Sequence, residues 1–209
     1  MKELIRSIID RYDAHTKANI REHTALRLLG RSDSAFIKAV MRKAERLGVP
    51  CHIAGYYLPG IPTVIDVETA AIPENLRHLD DVDNVMHNGA SSVSKAILEV
   101  LEAHIVDGKH VAIVGRGHAV KKLPEKLLER DATVTVCHSA TVDVYKATQA
   151  ADILVVATPP DAMFDACVCN KELIIDVGNT LDKSKLSCKV CDGRDIGPLT
   201  TSILLYMCT

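Results

Sequence analysis

The sequence predicts an α/β protein with two lobes, a larger parallel-sheet domain at the C-terminal side and a smaller, reduced α/β domain before it. The second half of the chain contains short, continuous apolar runs, including HVAIV, ADILVVAT and LIIDV, which are typical of buried parallel strands. These runs alternate with helix-like segments, as the connections of a parallel sheet require. The first half shows a shorter alternation of the same kind.

The N-terminal half begins with a helix, because apolar residues recur at helical spacing over residues 4–12. Asp33 or Ser34 can cap a second helix, which ends at Gly48. In chain order we predict helix 2–20, strand 25–29, a helix ending at residue 47 and strand 51–58.

The C-terminal half follows a boundary near residue 90, so we predict domains 1–90 and 91–209. A helix leads into the first buried strand, and further strands and a last helix follow. In chain order these are helix 93–104, strands 110–115, 133–139, 151–158 and 173–178, and helix 200–207. The last helix is free to pack back on the N-terminal domain.

A glycine turn, Gly115-Arg116-Gly117, follows the first of these strands. Small residues at such a turn let backbone N–H groups approach a pyrophosphate at the positive end of the next helix. The third glycine of the dinucleotide fingerprint would fall at position 120, where Val120 stands. An ordinary strand-to-helix turn is therefore the alternative, but the βαβ order around the turn favours a dinucleotide-binding, Rossmann-type domain.

The end of the second strand of this domain, Cys137-His138-Ser139, indicates which dinucleotide binds. NAD sites usually place Asp or Glu here to hold the ribose 2′-hydroxyl, whereas a 2′-phosphate is held by Arg and neutral donors. Ser139 can donate a hydrogen bond, and Arg116 can offer a planar fork to a phosphate. We predict NADP rather than NAD. The alternatives are a surface ion pair for Arg116 and a packing role for His138.

Composition excludes several classes of function. The chain has 209 residues, 47% of them hydrophobic, which is enough for a packed core. Its formal net charge of -2 is too near neutral to predict nucleic acid or a membrane as the partner. No apolar stretch reaches the roughly 20 residues of a membrane span, and MKELIRSIIDRYDAH lacks the organisation of a cleavable signal. We expect a cytoplasmic protein.

The seven cysteines predict reduced thiols rather than disulfides, because the sequence shows no export signal. Cys167, Cys169, Cys188 and Cys191 could together offer four thiolates to zinc. Their spacing is not that of a standard zinc ribbon. We therefore expect no metal and interpret the cysteines as small hydrophobic residues, with a zinc protein as an alternative.

Five segments occur in the order KHVAIVGRG, ATVTVCHSAT, ADILVVAT, IIDVGN and IGPLTTSILL. In this order they resemble the NADP-binding domain of the bifunctional methylenetetrahydrofolate dehydrogenase/cyclohydrolase family. HTALRLLGRSDSAF and DDVDNVMHN resemble parts of the folate domain of the same family, with deletions after Gly48 and His87. The resemblance implies a two-domain homodimeric enzyme that uses NADP to oxidise methylenetetrahydrofolate, with the folate between the domains.

The resemblance also implies which residues contact each ligand. The cofactor-binding residues would be Gly115, Arg116, Gly117, His138, Ser139, Ala157, Thr158, Asp176, Gly178 and Thr200. The substrate-binding residues would be Phe36, Val40, Tyr57, Asp83, Gly197 and Pro198. Asp83 corresponds to the family aspartate that contacts the pterin ring, and it is the one residue that we assign to catalysis. For Asp83, Asp176 and Thr200 the alternative is a capping role in a turn or helix.

Two departures from the family fall on its proton-handling residues. The family has a Tyr and, four residues later, the Lys that serves as the acid/base group of the cyclohydrolase. Phe36 and Val40 stand at these positions, and neither can transfer a proton. Lys38 and Lys43 lie on the same helix, about 160° and 60° from Val40 at ~100° per residue. We predict that dehydrogenase activity remains and cyclohydrolase activity is lost. The alternative is a non-catalytic regulatory module that binds a nucleotide or folate.

Overall fold

The computed structural model of the chain describes residues 1–20, 25–58, 61–66, 69–70, 74, 90–159 and 171–209. Within these ranges the chain forms two compact units. The C-terminal unit is Val93–Gly197 with Met1–Lys2, and the N-terminal unit is Glu3–Ser92 with Pro198–Thr209. The described strands all pair in parallel, which confirms the predicted α/β class. None of the described helices is long and apolar enough to cross a lipid bilayer.

The N-terminal unit contains a small parallel sheet. Its elements are α1 (Lys2–Asn19), β1 (Leu26–Leu29), α2 (Ala35–Leu47), β2 (Cys51–Ile53) and β3 (Thr63–Ile65). The strand order is β2-β1-β3. β2 is shorter than the predicted strand 51–58, because the chain leaves the sheet before Gly55. β3 has no counterpart in the prediction, since three residues are too few to show a strand period.

The C-terminal unit contains a five-stranded parallel sheet. Its elements are α3 (Ser92–Glu102), β4 (His110–Val114), α4 (Leu123–Leu128), β5 (Thr133–Cys137), α5 (Val144–Thr148), β6 (Ile153–Val156), β7 (Leu173–Asp176), β8 (Lys189–Asp192) and the first part of α6 (Gly193–Cys208). The strand order is β5-β4-β6-β7-β8, so the direction of winding reverses between β4 and β6. This order confirms the predicted Rossmann-type sheet.

Helix α2 has a defined cap at each end. The Ser34 hydroxyl accepts from the Ile37 N–H at 3.3 Å, and Gly48 ends the helix in the left-handed region with a φ of 78°. Asp33, the other candidate cap, instead pairs with Arg31 at 2.7 Å on the exposed surface. The prediction of this helix is confirmed, with Ser34 as its cap.

One face of the three-stranded sheet forms the core of the N-terminal unit, covered by α2 and the end of α6. The buried residues are Leu26, Leu28, Ile37, Val40, Ala44, Leu47, Val49, Val64, Leu204 and Leu205. Each fully buried leucine or isoleucine contributes about 1.5–3 kcal/mol, so this cluster stabilises the unit. The opposite face has a smaller cluster around Leu29 and Ile65, with Tyr57 packed against it.

Three elements of the C-terminal half differ from the sequence prediction. β8 and α5 have no counterpart in it, since KVCD and VYKAT are short and mix polar with apolar residues. Helix α6 begins at Gly193 rather than at residue 200, and the boundary between the two units falls inside it, before Pro198. The helix can begin early because the Asp192 carboxylate accepts from the Arg194 N–H at 2.8 Å and caps its first turn.

Hydrogen bonds from Lys171 connect the start of β7 to the end of α5. Its buried ammonium donates to the carbonyls of Thr148, Gln149 and Ala151 at 2.8, 3.0 and 2.6 Å. A cation at this end of a helix satisfies carbonyls that have no partner within the helix. Burial lowers the pKa of Lys171.

Candidate cofactor and substrate sites

The glycine turn lies at the carboxyl ends of β4 and β6, where the winding of the sheet reverses. Gly115 has a φ of 119°, and a Cβ on it would lie 2.4 Å from the carbonyl oxygen of Ala157. Only glycine fits this contact. At Gly117 the backbone is extended, and a Cβ would meet nothing within 4 Å. The open space beside Gly117 is what a phosphate group next to the turn requires.

The helix expected after the turn begins as a 3-10 turn, His118–Val120. The Ser94 hydroxyl donates to the Ala119 carbonyl at 2.7 Å and so fixes this turn to α3. Val120 is 1% exposed, so the position of the third fingerprint glycine contributes to the core instead. The turn lacks that glycine but retains the close approach at Gly115.

Neutral groups follow β5. The His138 N–H donates to Thr141 Oγ1 at 2.9 Å, and His138 Nδ1 accepts from the Ala140 N–H at 3.2 Å. The contact at Nδ1 leaves Nε2 as the hydrogen-bearing nitrogen of the neutral ring. Asp143, the first carboxylate after the strand, caps α5 by accepting from the Lys146 N–H at 2.8 Å. Its carboxylate is therefore already hydrogen-bonded at the start of α5.

Arg116 and Ser139 follow paired residues of neighbouring strands, because Val114 lies opposite Cys137. Both side chains are exposed. Arg116 forms no ion pair with any residue that the structure describes, so the alternative of a surface salt bridge is not observed there. The geometry leaves the guanidinium available to a ligand at this edge of the sheet.

The carboxyl ends of β6 and β7 are tightly packed. A Cβ on Gly178 would lie 2.2 Å from the carbonyl oxygen of Thr158. Asp176 is fully buried, and its two carboxylate oxygens accept from the Thr180 and Leu181 N–H groups at 2.9 and 3.0 Å. Asp176 thus caps the turn after β7. This corrects its prediction as a cofactor contact, because both oxygens are engaged inside the turn.

A charged network that was not predicted from the sequence lies at the carboxyl end of β8. Asp192 is buried, and its Oδ2 accepts hydrogen bonds from both Arg194 and Lys183. These hydrogen bonds, with Arg194 as the largest cause, hold the pKa of the Asp192 carboxyl well below its usual range although burial opposes them. The signal in the sequence is the charged run CDGRD, directly before the segment IGPLTTSILL.

The predicted substrate-side residues lie on two faces of the N-terminal sheet. Phe36 is partly buried against the main core, whereas Tyr57 packs beside Leu29 on the opposite face. Val40 is 0% exposed within the main core, so its side chain cannot contact a substrate. This burial corrects the prediction for Val40, which stabilises the unit instead.

The two lysines of α2 lie at positions other than 40, where the resemblance places the family's acid/base lysine. Lys43 is buried, and its Nζ donates to Asp13 of α1 at 2.7 Å. Burial lowers the pKa of Lys43, and the hydrogen bond to Asp13 opposes this effect. Lys38 is exposed and lines a groove beside β2.

The remaining predicted residues lie in α6 or beyond the described ranges. Gly197 and Pro198 are exposed, and Thr200 is 5% exposed. Gly197 belongs to the C-terminal unit, whereas Pro198 and Thr200 belong to the N-terminal unit. Asp83 and the rest of segment 75–89 lie outside the described residues. The roles of Asp83 in folate contact and catalysis therefore stay predictions.

A polar cluster at the carboxyl ends of β1 and β3 also escaped the sequence analysis. Asp66, directly after β3, is 4% exposed and accepts from the Ser34 and Thr69 hydroxyls at 2.5 and 2.6 Å. Gly30 follows β1, and a Cβ on it would lie 2.8 Å from the Asp66 Cβ. The signal is an aspartate after an apolar triplet, as in LIID, but Pro62 before it obscured the strand.

The cysteines of β8 and its approach are shielded from solvent to different degrees. Cys188 is partly buried and Cys191 is buried. Burial raises the pKa of the Cys191 thiol to about 12. In the described part of the chain, no group of three or more His, Cys, Asp or Glu side chains could hold a metal ion. Cys167 and Cys169 lie outside that part, so the zinc alternative stays a prediction.

Two parallel-sheet units, one with a glycine turn at its topological switch point, define a dinucleotide-binding α/β protein. Residues 90–193 match a family described as tetrahydrofolate dehydrogenase/cyclohydrolase, NAD(P)-binding domain. The bifunctional protein FolD of Delftia acidovorans is 30% identical over 209 aligned residues, which cover 85% of this chain and 73% of that protein. The chain belongs to the tetrahydrofolate dehydrogenase/cyclohydrolase family, which confirms the resemblance.

For other relatives, the match with this chain covers a smaller share of their length. The bifunctional protein FolD of Picrophilus torridus is 33% identical over 175 residues, which cover 81% of this chain and 58% of that protein. The corresponding protein of Anoxybacillus flavithermus is 37% identical over 127 residues, which cover 53% of this chain and 44% of that protein. The chain thus spans about half the length of these curated relatives.

Solved structures share the fold. The bifunctional 5,10-methylenetetrahydrofolate dehydrogenase/cyclohydrolase of Thermoplasma acidophilum has a TM-score of 0.72 at 18% identity and covers 99% of this chain, with 94% of its own chain matched. The Trypanosoma brucei enzyme, complexed with NADP cofactor and inhibitor, has a TM-score of 0.68 at 17% identity, with coverages of 99% and 94%.

Proposed function

We propose that the protein is an NADP-dependent methylenetetrahydrofolate dehydrogenase whose cyclohydrolase activity is lost. The observation that supports this most is the switch point of the C-terminal sheet, where Gly115 packs against Ala157 and open space lies beside Gly117. NADP bound there would supply the nicotinamide that accepts a hydride from the folate. Membership of the family supports the same substrate class, and it supports a cytoplasmic homodimer as the working form.

The residues after β5 fit a 2′-phosphate better than an unmodified ribose. Arg116 offers an exposed guanidinium, Ser139 an exposed hydroxyl and His138 a hydrogen at Nε2. Asp143 is the first acid after the strand, and it is held as the cap of α5. A ribose 2′-hydroxyl therefore finds no carboxylate acceptor here, whereas a 2′-phosphate finds a cation and neutral donors.

The residues of the N-terminal unit explain why one activity would persist without the other. Hydride transfer requires that two reactants be aligned, and it asks little proton transfer of the protein. Hydrolysis of a methenyl group does require proton transfer. Val40 lies in the core, Phe36 is apolar, and the Lys43 ammonium is bound to Asp13. None of these side chains can serve as the acid/base group.

On the folate side we propose Asp83 as the anchor, on the basis of the family resemblance. A carboxylate accepts two coplanar hydrogen bonds, which suits the N–H edge of a pterin. Asp83→Asn is expected to weaken tetrahydrofolate binding by about 1–3 kcal/mol in calorimetry and to leave NADP binding unchanged. Asp80→Asn, three positions earlier in the same segment, is the matched control. Equal effects of the two changes would remove Asp83 from the site.

The proposal is tested by mixing the purified protein with methylenetetrahydrofolate and either NADP or NAD, and following the absorbance of the reduced nicotinamide. We expect folate-dependent reduction that is faster with NADP. A protein that binds neither NADP nor folate in calorimetry would refute the proposal. Binding of either ligand without turnover would instead identify the non-catalytic module.

A further inference from the structure

The charged network at the carboxyl end of β8 presents an arginine to solvent in a fixed orientation. Arg194 donates to Asp192 Oδ2 through Nε and Nη2 at 3.2 and 2.8 Å, and its backbone N–H donates to Asp192 Oδ1 at 2.8 Å. The Asp192 side chain is 10% exposed, whereas the Arg194 side chain is 79% exposed. The carboxylate therefore lies inside the protein and holds the guanidinium at the surface.

One edge of this guanidinium is available to a ligand. Asp192 occupies the edge that carries Nε, and no described residue accepts a hydrogen bond from Nη1. The hydrogens of Nη1 and the outer hydrogen of Nη2 form a planar fork that matches a carboxylate or a phosphate. Lys183 donates to the same Asp192 oxygen, so the acid is shared between two cations. Asp195 is the next residue of α6, and no described hydrogen bond joins it to Arg194.

The order of the strands places Arg194 on the nicotinamide side of the proposed dinucleotide site. In a Rossmann-type sheet the adenosine half of the dinucleotide lies over the first strand and the strand that follows it in the chain, here β4 and β5, and the nicotinamide half lies across the switch point. That other side is formed by β6, β7 and β8. A Cβ on Gly193 would lie 2.6 Å from the Val177 carbonyl oxygen, so the start of α6 lies against the end of β7.

The phosphates of NADP are too far away to be the ligand of Arg194. We place the pyrophosphate at the glycine turn after β4 and the 2′-phosphate after β5. Neighbouring strands lie about 4.7–4.9 Å apart, so the end of β8 is about 14 Å from the end of β4 and about 19 Å from the end of β5. A different anion must therefore fit this position.

The chemistry of the reactants identifies that anion. The oxidised nicotinamide ring is positively charged, so a guanidinium repels it. The N–H edge of a pterin donates hydrogen bonds and suits an acceptor rather than an arginine. The remaining charged groups of a folate are the carboxylates of its glutamyl tail, which a guanidinium fork can bind through two parallel hydrogen bonds.

We propose that Arg194 binds a glutamyl carboxylate of the folate and so determines specificity for a substrate that carries this tail. The inference rests on the proposed dehydrogenase function. Asp192 is the positioning residue, because a guanidinium that is already held loses less conformational freedom when the carboxylate binds. The contact is the same before and during hydride transfer, so it should lower KM and leave kcat unchanged.

A comparison of two ligands with two forms of the protein tests this contact. Calorimetry in the presence of NADP compares tetrahydrofolate with its diamide, in which both glutamyl carboxylates are neutral carboxamides. Arg194→Gln should weaken tetrahydrofolate binding about tenfold or more, the effect of a charge-assisted hydrogen bond, and diamide binding less than about twofold.

The neighbouring charges provide the controls. Lys183→Gln removes the other cation bound to Asp192, and it should change the binding of either ligand less than about twofold. Asp195→Asn removes a negative charge beside Arg194 and should strengthen tetrahydrofolate binding. Unchanged NADP affinity in all three variants would show that each C-terminal unit is folded.

Several results would overturn the proposal. Equal losses of tetrahydrofolate and diamide binding in Arg194→Gln would show that the arginine acts on the structure of the site. A lower kcat with an unchanged KM for methylenetetrahydrofolate would place Arg194 at the nicotinamide instead. A wild-type chain that binds tetrahydrofolate and its diamide equally would refute the carboxylate contact alone. A wild-type chain that binds neither ligand would refute the dehydrogenase proposal as well.

Discussion

At the carboxyl ends of their strands, the two parallel sheets have a similar close contact at a glycine, but the groups beside that contact differ. In each, a glycine after one strand packs against the residue that follows the neighbouring strand. Gly115 meets Ala157 in the C-terminal unit, and Gly30 meets Asp66 in the N-terminal unit. Beside the first contact, open space remains at Gly117. The C-terminal edge is therefore ready to accept a ligand.

The N-terminal edge is occupied by the protein's own polar groups. The hydroxyls of Ser34 and Thr69 both donate to the buried carboxylate of Asp66. Val40, where the resemblance places the family's acid/base lysine, lies within the core of this unit. The two edges thus differ: open space remains beside the glycine turn of the C-terminal unit, whereas the N-terminal edge is filled by hydrogen bonds within the protein.

Removal of the Lys43 ammonium should give the largest change in stability. The side chains of Lys43 and Asp13 are 8% and 14% exposed. Loss of one partner of a buried pair costs about 3–5 kcal/mol, and we expect the lower end because Arg46 also donates to Asp13. Urea unfolding of Lys43→Met should show this loss, whereas Lys17→Met on exposed α1 should not. Unchanged stability with reduced turnover would show that Lys43 takes part in catalysis, and would contradict its structural role.

A methyl group at the glycine turn should be nearly as costly. Gly115→Ala brings a Cβ against the Ala157 carbonyl in a backbone region that favours glycine, which should cost about 2–3 kcal/mol and abolish NADP binding. Gly117→Ala, two residues later, should cost less than about 1 kcal/mol because the added methyl meets no atom. Unfolding curves of the two variants measure the difference. Similar curves would contradict the close approach at Gly115.

Arg116 should decide the choice of dinucleotide. Arg116→Ala is expected to weaken NADP binding by about 1.5–3 kcal/mol, the contribution of a charge-assisted hydrogen bond to a phosphate. NAD binding serves as the internal control, because it lacks the 2′-phosphate and should not change. Calorimetric titration measures the affinity of the variant and of the wild type for both dinucleotides. If NADP keeps its preference without Arg116, the 2′-phosphate lies elsewhere.

The ion-pair network at the end of β8 should make stability depend on acid pH. Because the folded-state pKa of Asp192 is lowered, its stabilisation is present above the unfolded-state value near 3.9 and is lost as the pH falls below it. Asp192→Asn should therefore be less stable by about 1–2 kcal/mol at neutral pH, a figure reduced for the exposure of Arg194. The difference in stability between Asp192→Asn and the wild type should disappear at acid pH. Denaturant unfolding over a pH series measures this difference, and a difference that does not change with pH would contradict the role of Asp192.

The sequence predicts best what depends on neighbours along the chain. Strands β4, β6 and β7 are buried and appear as continuous apolar runs, and Ser34 and Gly48 mark the ends of α2. Strands β3 and β8 lie at sheet edges and are too short for a periodic pattern. The role of Asp66 escaped detection because its partner Ser34 is 32 residues away. Contacts across such distances are set by the fold, so a local pattern cannot show them.

The folate product formed from methylenetetrahydrofolate and NADP distinguishes a dehydrogenase without cyclohydrolase activity from a bifunctional enzyme. Purified protein is incubated with both, the folates are separated by chromatography over time, and NADPH is measured in the same sample. We expect methenyltetrahydrofolate to accumulate as NADPH forms and to be hydrolysed only at the uncatalysed rate. Formyltetrahydrofolate appearing about 10²–10⁴ times faster, the range of general acid/base catalysis, would contradict the loss of cyclohydrolase activity. Absence of folate-dependent NADPH would contradict the dehydrogenase itself.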